Sequence, residues 1–274
     1  MRALQAWLGR RSSSSSSGGG GSSADADDQD LQAAGMPVFV QPTRQLGPAD
    51  VMHGLRNHFD GSRHDAYLHR NPAEPLRPVA VLRSSMGHVT RLRAPSPHLP
   101  ASLAAIHYVA MGMPALAPFI PIYGSLPGAS LPLELTCAGS APDPVSLFWK
   151  ARRLQALVFQ DWPMLAPGAV AAISGWEAEV ESEQRPAMEI RYAAALARWD
   201  EAAAVAELVG FTARVVQQAG VLLQQLTDVA TAQLGLHAMP PDDVLVRMLD
   251  AAVATYAFRL PLGSAAAGAA VDVT

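Results

Sequence analysis

The sequence predicts an α+β fold whose C-terminal half is helical, and two observations carry that prediction. From residue 36 to 140 the chain is rich in proline, glycine and β-branched residues, with short apolar runs set between turn residues. That is the pattern of buried strands. From Asp143 the apolar period lengthens to the helical one and holds to residue 260. Half of the 274 residues are hydrophobic and only 16% are charged, enough to build a core and too apolar for a chain disordered throughout.

Residues 1–35 are a different material. Arg11 is followed by six serines, four glycines and two more serines, then by Asp25, Asp27, Asp28 and Asp30. Such a tract has nothing to bury against the entropy of ordering, so a flexible leader is expected. Ala3 to Leu8 is too short for the core of a secretory signal. The Arg and Ser content, with no acid before Asp25, vaguely resembles an organelle transit peptide, and a plain disordered extension is the preferred reading. The compartment stays open, with the cytoplasm as the default.

In the strand-rich part, Pro37–Val40 and Pro78–Leu82 read as buried strands, and His88–Leu92 could pair with the second. Ala105–Met111 and Phe119–Tyr123 are further strands, separated by the breaker Met113-Pro114, and Pro127–Pro132 is a loop. Asp143-Pro144 then predicts a helix start, a capping side chain followed by proline. Its face is Val145, Phe148, Trp149, Arg152, Ala156 and Phe159, and it should stop before Pro163. A second helix is predicted over 167–183, on Val170, Ile173, Trp176 and Val180, with Pro186 at its end. A long helix follows over 191–234, with the stripe Leu208, Phe211, Val215, Leu222, Leu226 and Val229 and weak points at Gly210 and Gly220. A last helix starts at Pro241-Asp242 and carries Val244, Leu245, Met248, Leu249 and Val253. The predicted organisation is therefore a leader over 1–35, a domain over 36–260 (strand-rich over 36–140, helical over 143–260) and a flexible tail over 261–274.

Composition excludes several function classes. A net charge of −4 gives no basic face for nucleic acid. No apolar run approaches the roughly 20 residues of a membrane span. The single cysteine, Cys137, forms neither an internal disulfide nor a Cys-rich zinc site. Seven of the eight histidines lie between His53 and His107, and the tightest group is His58, His64, Asp65 and His69. Their spacing fits no metal motif, and Asp60-Gly61-Ser62 lacks the later acid of a calcium loop. No metal or other cofactor is expected. There is no Gly-x-Ser-x-Gly elbow and no phosphate-cradling loop, and Cys137 in its small-residue setting reads as a core residue. No residue of this chain is assigned a catalytic role. Arginine is the remaining concentration. Lys150 is the single lysine, and eight arginines lie between Arg44 and Arg93 against four acids. Arg83, Arg91 and Arg93 bracket His88, an arrangement suited either to a small substrate's carboxylate or to surface salt bridges.

Taken together, the segments resemble a known family. Leu55-Arg56-Asn57-His58-Phe59-Asp60-Gly61-Ser62 with Asp65 is similar to the Leu-Arg-Asp-His-Tyr-Glu-Gly-Thr stretch of cysteine dipeptidases. Arg77-Pro78-Val79, Arg83-Ser84-Ser85, Gly87-His88-Val89 and Leu92-Arg93 follow in the family's order, then Ile106 to Pro114, Phe119 to Gly124, Phe148-Trp149-Lys150 and Trp176-Glu177-Ala178-Glu179. The resemblance covers about residues 48 to 235. It implies an N-terminal-nucleophile hydrolase, related to secernins, with an α/β/β/α sandwich of which this chain would form part. It implies peptide hydrolysis by a cysteine whose own α-amine is the base. It also implies dipeptides or short peptides as substrates, and Arg83, His88 and, from an Asn-Pro turn, Asn71 as substrate-binding candidates. No cysteine precedes the matching segments and Cys137 follows most of them. The chain is therefore expected to be truncated and inactive alone, or a non-catalytic peptide- or protein-binding member of the scaffold. Unpaired strand edges would then invite self-association or a complementing cysteine-bearing chain.

Overall fold

The computed structural model describes residues 42, 44–69, 77–96, 99–136 and 141–256. The chain divides into two compact units, Met1–Gly54 and Leu55–Thr274. Helix α1 (Pro48–Arg56) begins in the first, where Asp50 accepts the Gly47 N–H at 2.9 Å and the Arg44 guanidinium at 2.8 Å, and its last two residues, Leu55 and Arg56, belong to the second. The candidate strand Pro37–Val40 and the predicted leader lie outside the described residues.

The second unit is α+β with a helical C-terminal half. After a short turn of helix, α2 (Ala66–His69), three strands form one antiparallel sheet: β1 (Met86–Leu92), β2 (Ala105–Met111) and β3 (Phe119–Tyr123), in that order. Val89 faces Tyr108, and Tyr108 faces Pro121. Strand alternation therefore puts Gly87, Val89, Ile106, Tyr108, Ala110, Phe119 and Tyr123 on one buried face. His88, Thr90 and His107 stand on the other face, exposed.

The sheet differs from expectation at its start. Pro78–Leu82 is not a strand. The amides of Val79 and Ala80 both donate to the Asn57 carbonyl, at 3.1 and 3.0 Å, and the segment turns. Ala80 and Leu82 are buried while Val79 is 57% exposed. Five apolar residues signal burial, but what their backbone pairs with is a long-range matter. His88–Leu92 is within β1, and its partner is β2.

Helices cover the buried face. They are α3 (Leu147–Val158), α4 (Trp162–Glu179), a π-helical segment (Val180–Gln184), α5 (Arg185–Ala197) and α6 (Glu201–Gln233), with α7 (Asp242–Thr255) packed on α3. Asp143 does not cap α3. Its carboxylate accepts the Val145 N–H at 2.8 Å in a turn, and the helix starts four residues later. Pro163 opens α4 rather than closing α3, because Asp161 caps the new helix through the Met164 N–H at 3.2 Å. A proline in the first turn gives up no hydrogen bond. Pro186 likewise sits in the first turn of α5, directly after the π-helical segment. The predicted helix over 191–234 is two helices. Trp199 takes a φ of 60°, and Asp200 accepts the Ala203 N–H at 2.9 Å to start α6. The stripe on α6 holds through Leu208, Phe211 and Val215, then shifts by one residue to Ala219, Leu223, Thr227 and Ala230, leaving Val229 53% exposed. The threonines fit the apolar seam because each hydroxyl donates to the carbonyl one turn earlier, Thr227 to Leu223 at 2.6 Å.

Gly112, after β2, has a φ of +112°, and a Cβ there would lie 3.0 Å from the Gln155 amide nitrogen and 3.3 Å from Ala151 Cβ. Gly112→Ala is expected to cost about 1–3 kcal/mol, from a backbone conformation L residues avoid. Urea denaturation of the two proteins measures it, and an unchanged midpoint would contradict the claim.

Candidate functional site

The segment after α1 is built around His58. Asn57 turns the chain by accepting the Phe59 N–H on its side chain at 3.1 Å, with Phe59 at a φ of 67°. Asp65 then caps α2, its Oδ1 accepting the Tyr67 and Leu68 N–H groups at 3.1 Å each. The same oxygen lies 3.0 Å from His58 Nδ1, and Asp60 Oδ1 lies 2.8 Å from His58 Nε2. Both ring nitrogens are thus engaged by carboxylates. The imidazole is packed edge-on to Trp162 at 5.1 Å and tilted on Tyr67 at 5.2 Å, with Phe159 and Tyr256 completing the aromatic wall.

Burial disfavours the imidazolium, but the hydrogen bonds and charges of Asp60 and Asp65 outweigh it and push the His58 pKa up to about 9. Burial likewise works against the Asp65 carboxylate, and the His58 hydrogen bond and charge nevertheless hold its pKa below the usual range. At neutral pH this is a fixed positive charge between two negative ones. It has no free lone pair to act as a base. One His nitrogen and two carboxylate oxygens within 4.8 Å of one another are also a set that could face a cation. When the imidazole carries a proton on each ring nitrogen, both nitrogens donate to the carboxylates instead. Of the sequence-predicted cluster, His64 and His69 do not join: His64 Nε2 accepts from Arg63 Nε at 3.2 Å, and His69 Nε2 faces the Ser62 carbonyl at 3.2 Å.

A second arrangement ties this segment to the sheet and helices. Arg56 forks onto Glu177 of α4 at 2.9 and 2.5 Å, and its Nε donates to the Pro114 carbonyl at 2.9 Å. Glu177 also accepts the Phe119 N–H at 2.6 Å, and the guanidinium lies 4.9 Å from the Phe119 ring centroid. Three separated segments meet on one ion pair. Arg56 and Glu177 are 121 residues apart, and no local pattern marks them.

The candidate arginines divide. Arg91 and Arg93 turn toward the helices, to Glu181 at 3.2 Å and Glu189 at 2.8 Å. Arg185 bridges the two acids at 2.9 and 2.8 Å, and the Tyr108 and Tyr123 hydroxyls donate to Glu181 and Glu189. Burial, then the Glu181 charge, pushes the Tyr108 pKa up to about 12, so its hydroxyl stays a donor. These two arginines are salt-bridge residues. Arg83 is exposed in the turn before β1 with no polar partner among the described residues, and His88 is exposed on the open sheet face. No hydrogen bond or ion pair joins the two. Asn71 and Cys137 lie outside the described residues. No helix is long and apolar enough to cross a membrane, among the described residues.

A profile described as Peptidase family C69 matches residues 7–173. A curated relative from Salmonella dublin, named "Probable dipeptidase", is 40% identical over 87 residues, which is 32% of this chain and 19% of that relative. The match therefore spans well under a quarter of the relative's own length.

Proposed function

Because the chain belongs to Peptidase family C69, we propose that it is a portion of a cysteine dipeptidase, acting on dipeptides or short peptides when a nucleophilic cysteine is supplied to it. The observation that carries this reading is the family match across the first strand-and-helix segments. The Arg56–Glu177 pair supports it, since it fastens two motif segments that lie far apart in sequence. In this reading the sheet with its helical cover is one part of an N-terminal-nucleophile sandwich, carried on a domain over 36–260. The nucleophile comes from outside the matching segments, by way of a cysteine-bearing chain or region. Cys137, the single cysteine, follows most of the matching segments and does not serve. Arg83 and His88 are proposed to meet a peptide's carboxylate, as a guanidinium with no polar partner among the described residues and an exposed imidazole are equipped to do. Asn71 is carried as a third candidate.

The expected result is no dipeptide turnover by this chain, in the wild type and in Cys137→Ala alike. Turnover that Cys137→Ala abolishes would overturn the reading. The position of the one cysteine also favours a second reading, a non-catalytic peptide-binding member of the scaffold. Calorimetric titration with dipeptides separates the two. Binding that weakens in Arg83→Ala or His88→Ala, without turnover on adding a cysteine-bearing partner, fits the binding protein.

A further inference from the structure

The two edges of the sheet are treated differently. Ladder hydrogen bonds in an antiparallel pair alternate, so every second residue of an edge strand turns its N–H and C=O outward. Gly124 N–H donates to the Ala105 carbonyl at 3.0 Å, which fixes the even-numbered residues of β3 as those bonded to β2. Phe119, Pro121 and Tyr123 therefore face outward. The Phe119 N–H goes to Glu177 at 2.6 Å, Pro121 has no N–H, and the Tyr123 carbonyl accepts the Leu126 N–H at 3.0 Å. The proline and these two hydrogen bonds interrupt that edge as a template.

On β1 the same alternation gives the opposite result. The Arg93 N–H donates to the Ala104 carbonyl at 2.9 Å and Gly112 N–H to the Ser85 carbonyl at 2.8 Å. The odd-numbered residues are thus bonded to β2. Met86, His88, Thr90 and Leu92 turn their backbone groups outward, and none of these groups has a partner among the described residues. All four residues are exposed, Leu92 at 78% and Met86 at 53%. No proline or lysine interrupts the run, and an open edge of this kind is a template for another strand.

We infer that β1 pairs antiparallel with β1 of a second copy of this chain, about a two-fold axis at Val89, joining two three-stranded sheets into one of six strands. The sequence of the strand is self-complementary in this register. Met86 stands opposite the partner's Leu92, and His88 opposite the partner's Thr90, an apolar pair and a polar pair on the open face. On the helix-covered face Val89 meets its own copy and Arg91 faces the partner's Gly87, so no like charges stand opposed. All four outward residues find a backbone partner. Shifting the register by two residues sets His88 against His88, or puts Leu92 opposite His88. The contact is isologous, as a closed dimer requires.

Thr90→Pro tests this on the full chain, because the N–H it removes points away from β2, as at Pro121 on the far edge. Light scattering is expected to give a dimer for the wild type and half that mass for Thr90→Pro, with an unchanged helical circular dichroism spectrum. Hydrogen exchange of the wild type, which depends on no variant, is expected to show His88 and Thr90 amides protected at high concentration and released on dilution. A wild-type monomer, a Thr90→Pro dimer, or exchange at these amides that ignores concentration would each overturn the inference. Dipeptide hydrolysis plays no part in these readouts, so their failure is separate from failure of the peptidase reading.

Discussion

Replacing Glu177 with alanine is expected to lower stability by about 3 kcal/mol, the cost of leaving one member of a buried ion pair unpaired. The side chains of Arg56 and Glu177 are 11% and 13% exposed, so water cannot take over the lost contacts. Arg56 would keep two carbonyl acceptors, on Pro114 and Ala117 at 2.9 and 3.3 Å, but no counter-charge. The Phe119 N–H, on the outer edge of β3, would lose its acceptor as well. In a thermal melt this amounts to a fall of roughly 6–12 °C for a chain of this size. Asp243→Ala is the control. It breaks the Arg247 pair, which has a similar distance of 2.8 Å but side chains 67% and 68% exposed, and is expected to change stability by less than about 0.5 kcal/mol. Equal effects of the two substitutions would show that the three-segment junction does not hold the fold together. The double variant Arg56→Met, Glu177→Leu is expected to recover part of the loss, since it removes both charges together.

That junction also marks the limit of what was legible in the sequence. Periodicity and turn residues report on each segment's own surroundings, so Phe119–Tyr123 and Ala105–Met111 are strands where their alternation and their prolines put them. The same signals misplaced the ends of α3 and α4, because Asp143 and Asp161 are both acids beside a helix and only Asp161 has its carboxylate on the helix amides. Pro78–Leu82 was misread for a related reason. Two of its amides reach a single carbonyl on Asn57, and no pattern within five residues encodes a partner so distant. At the site, the resemblance already held both Arg56 and Glu177 among its matching segments, although neither was singled out. The histidine cluster was legible as a cluster but not in its membership. Asp60 and Asp65 join His58 because the turn at Phe59 folds the chain back, whereas His64 is engaged by Arg63 and His69 by the Ser62 carbonyl.

The His58 arrangement predicts an alkaline limit to stability. An unperturbed histidine titrates near 6.5, and in the folded protein this one titrates at about 9. Its folded-state pKa is raised, so its contribution is complete below the unfolded value and is lost as pH rises through the folded one. Between pH 6.5 and 9.5 the stability of the wild type is expected to fall by on the order of 3 kcal/mol, as the imidazolium loses its proton in the folded protein. Asp65 acts at the other end. Its folded pKa is depressed, so its contribution holds above the ordinary carboxylate range and is lost as pH falls through the lowered value. Urea denaturation across pH 5 to 9.5 measures the alkaline limb. His58→Phe keeps a ring against Trp162 and Tyr67, and should be less stable at pH 6 with a flat profile above it. A wild-type profile that is flat from 6.5 to 9.5, or one whose fall survives in His58→Phe, would show that the imidazolium is not what holds residues 57–65 in place. Added zinc distinguishes the remaining use of these groups. If a cation displaced the proton between His58 and Asp60, it would bind more tightly as pH rises and restore the lost stability.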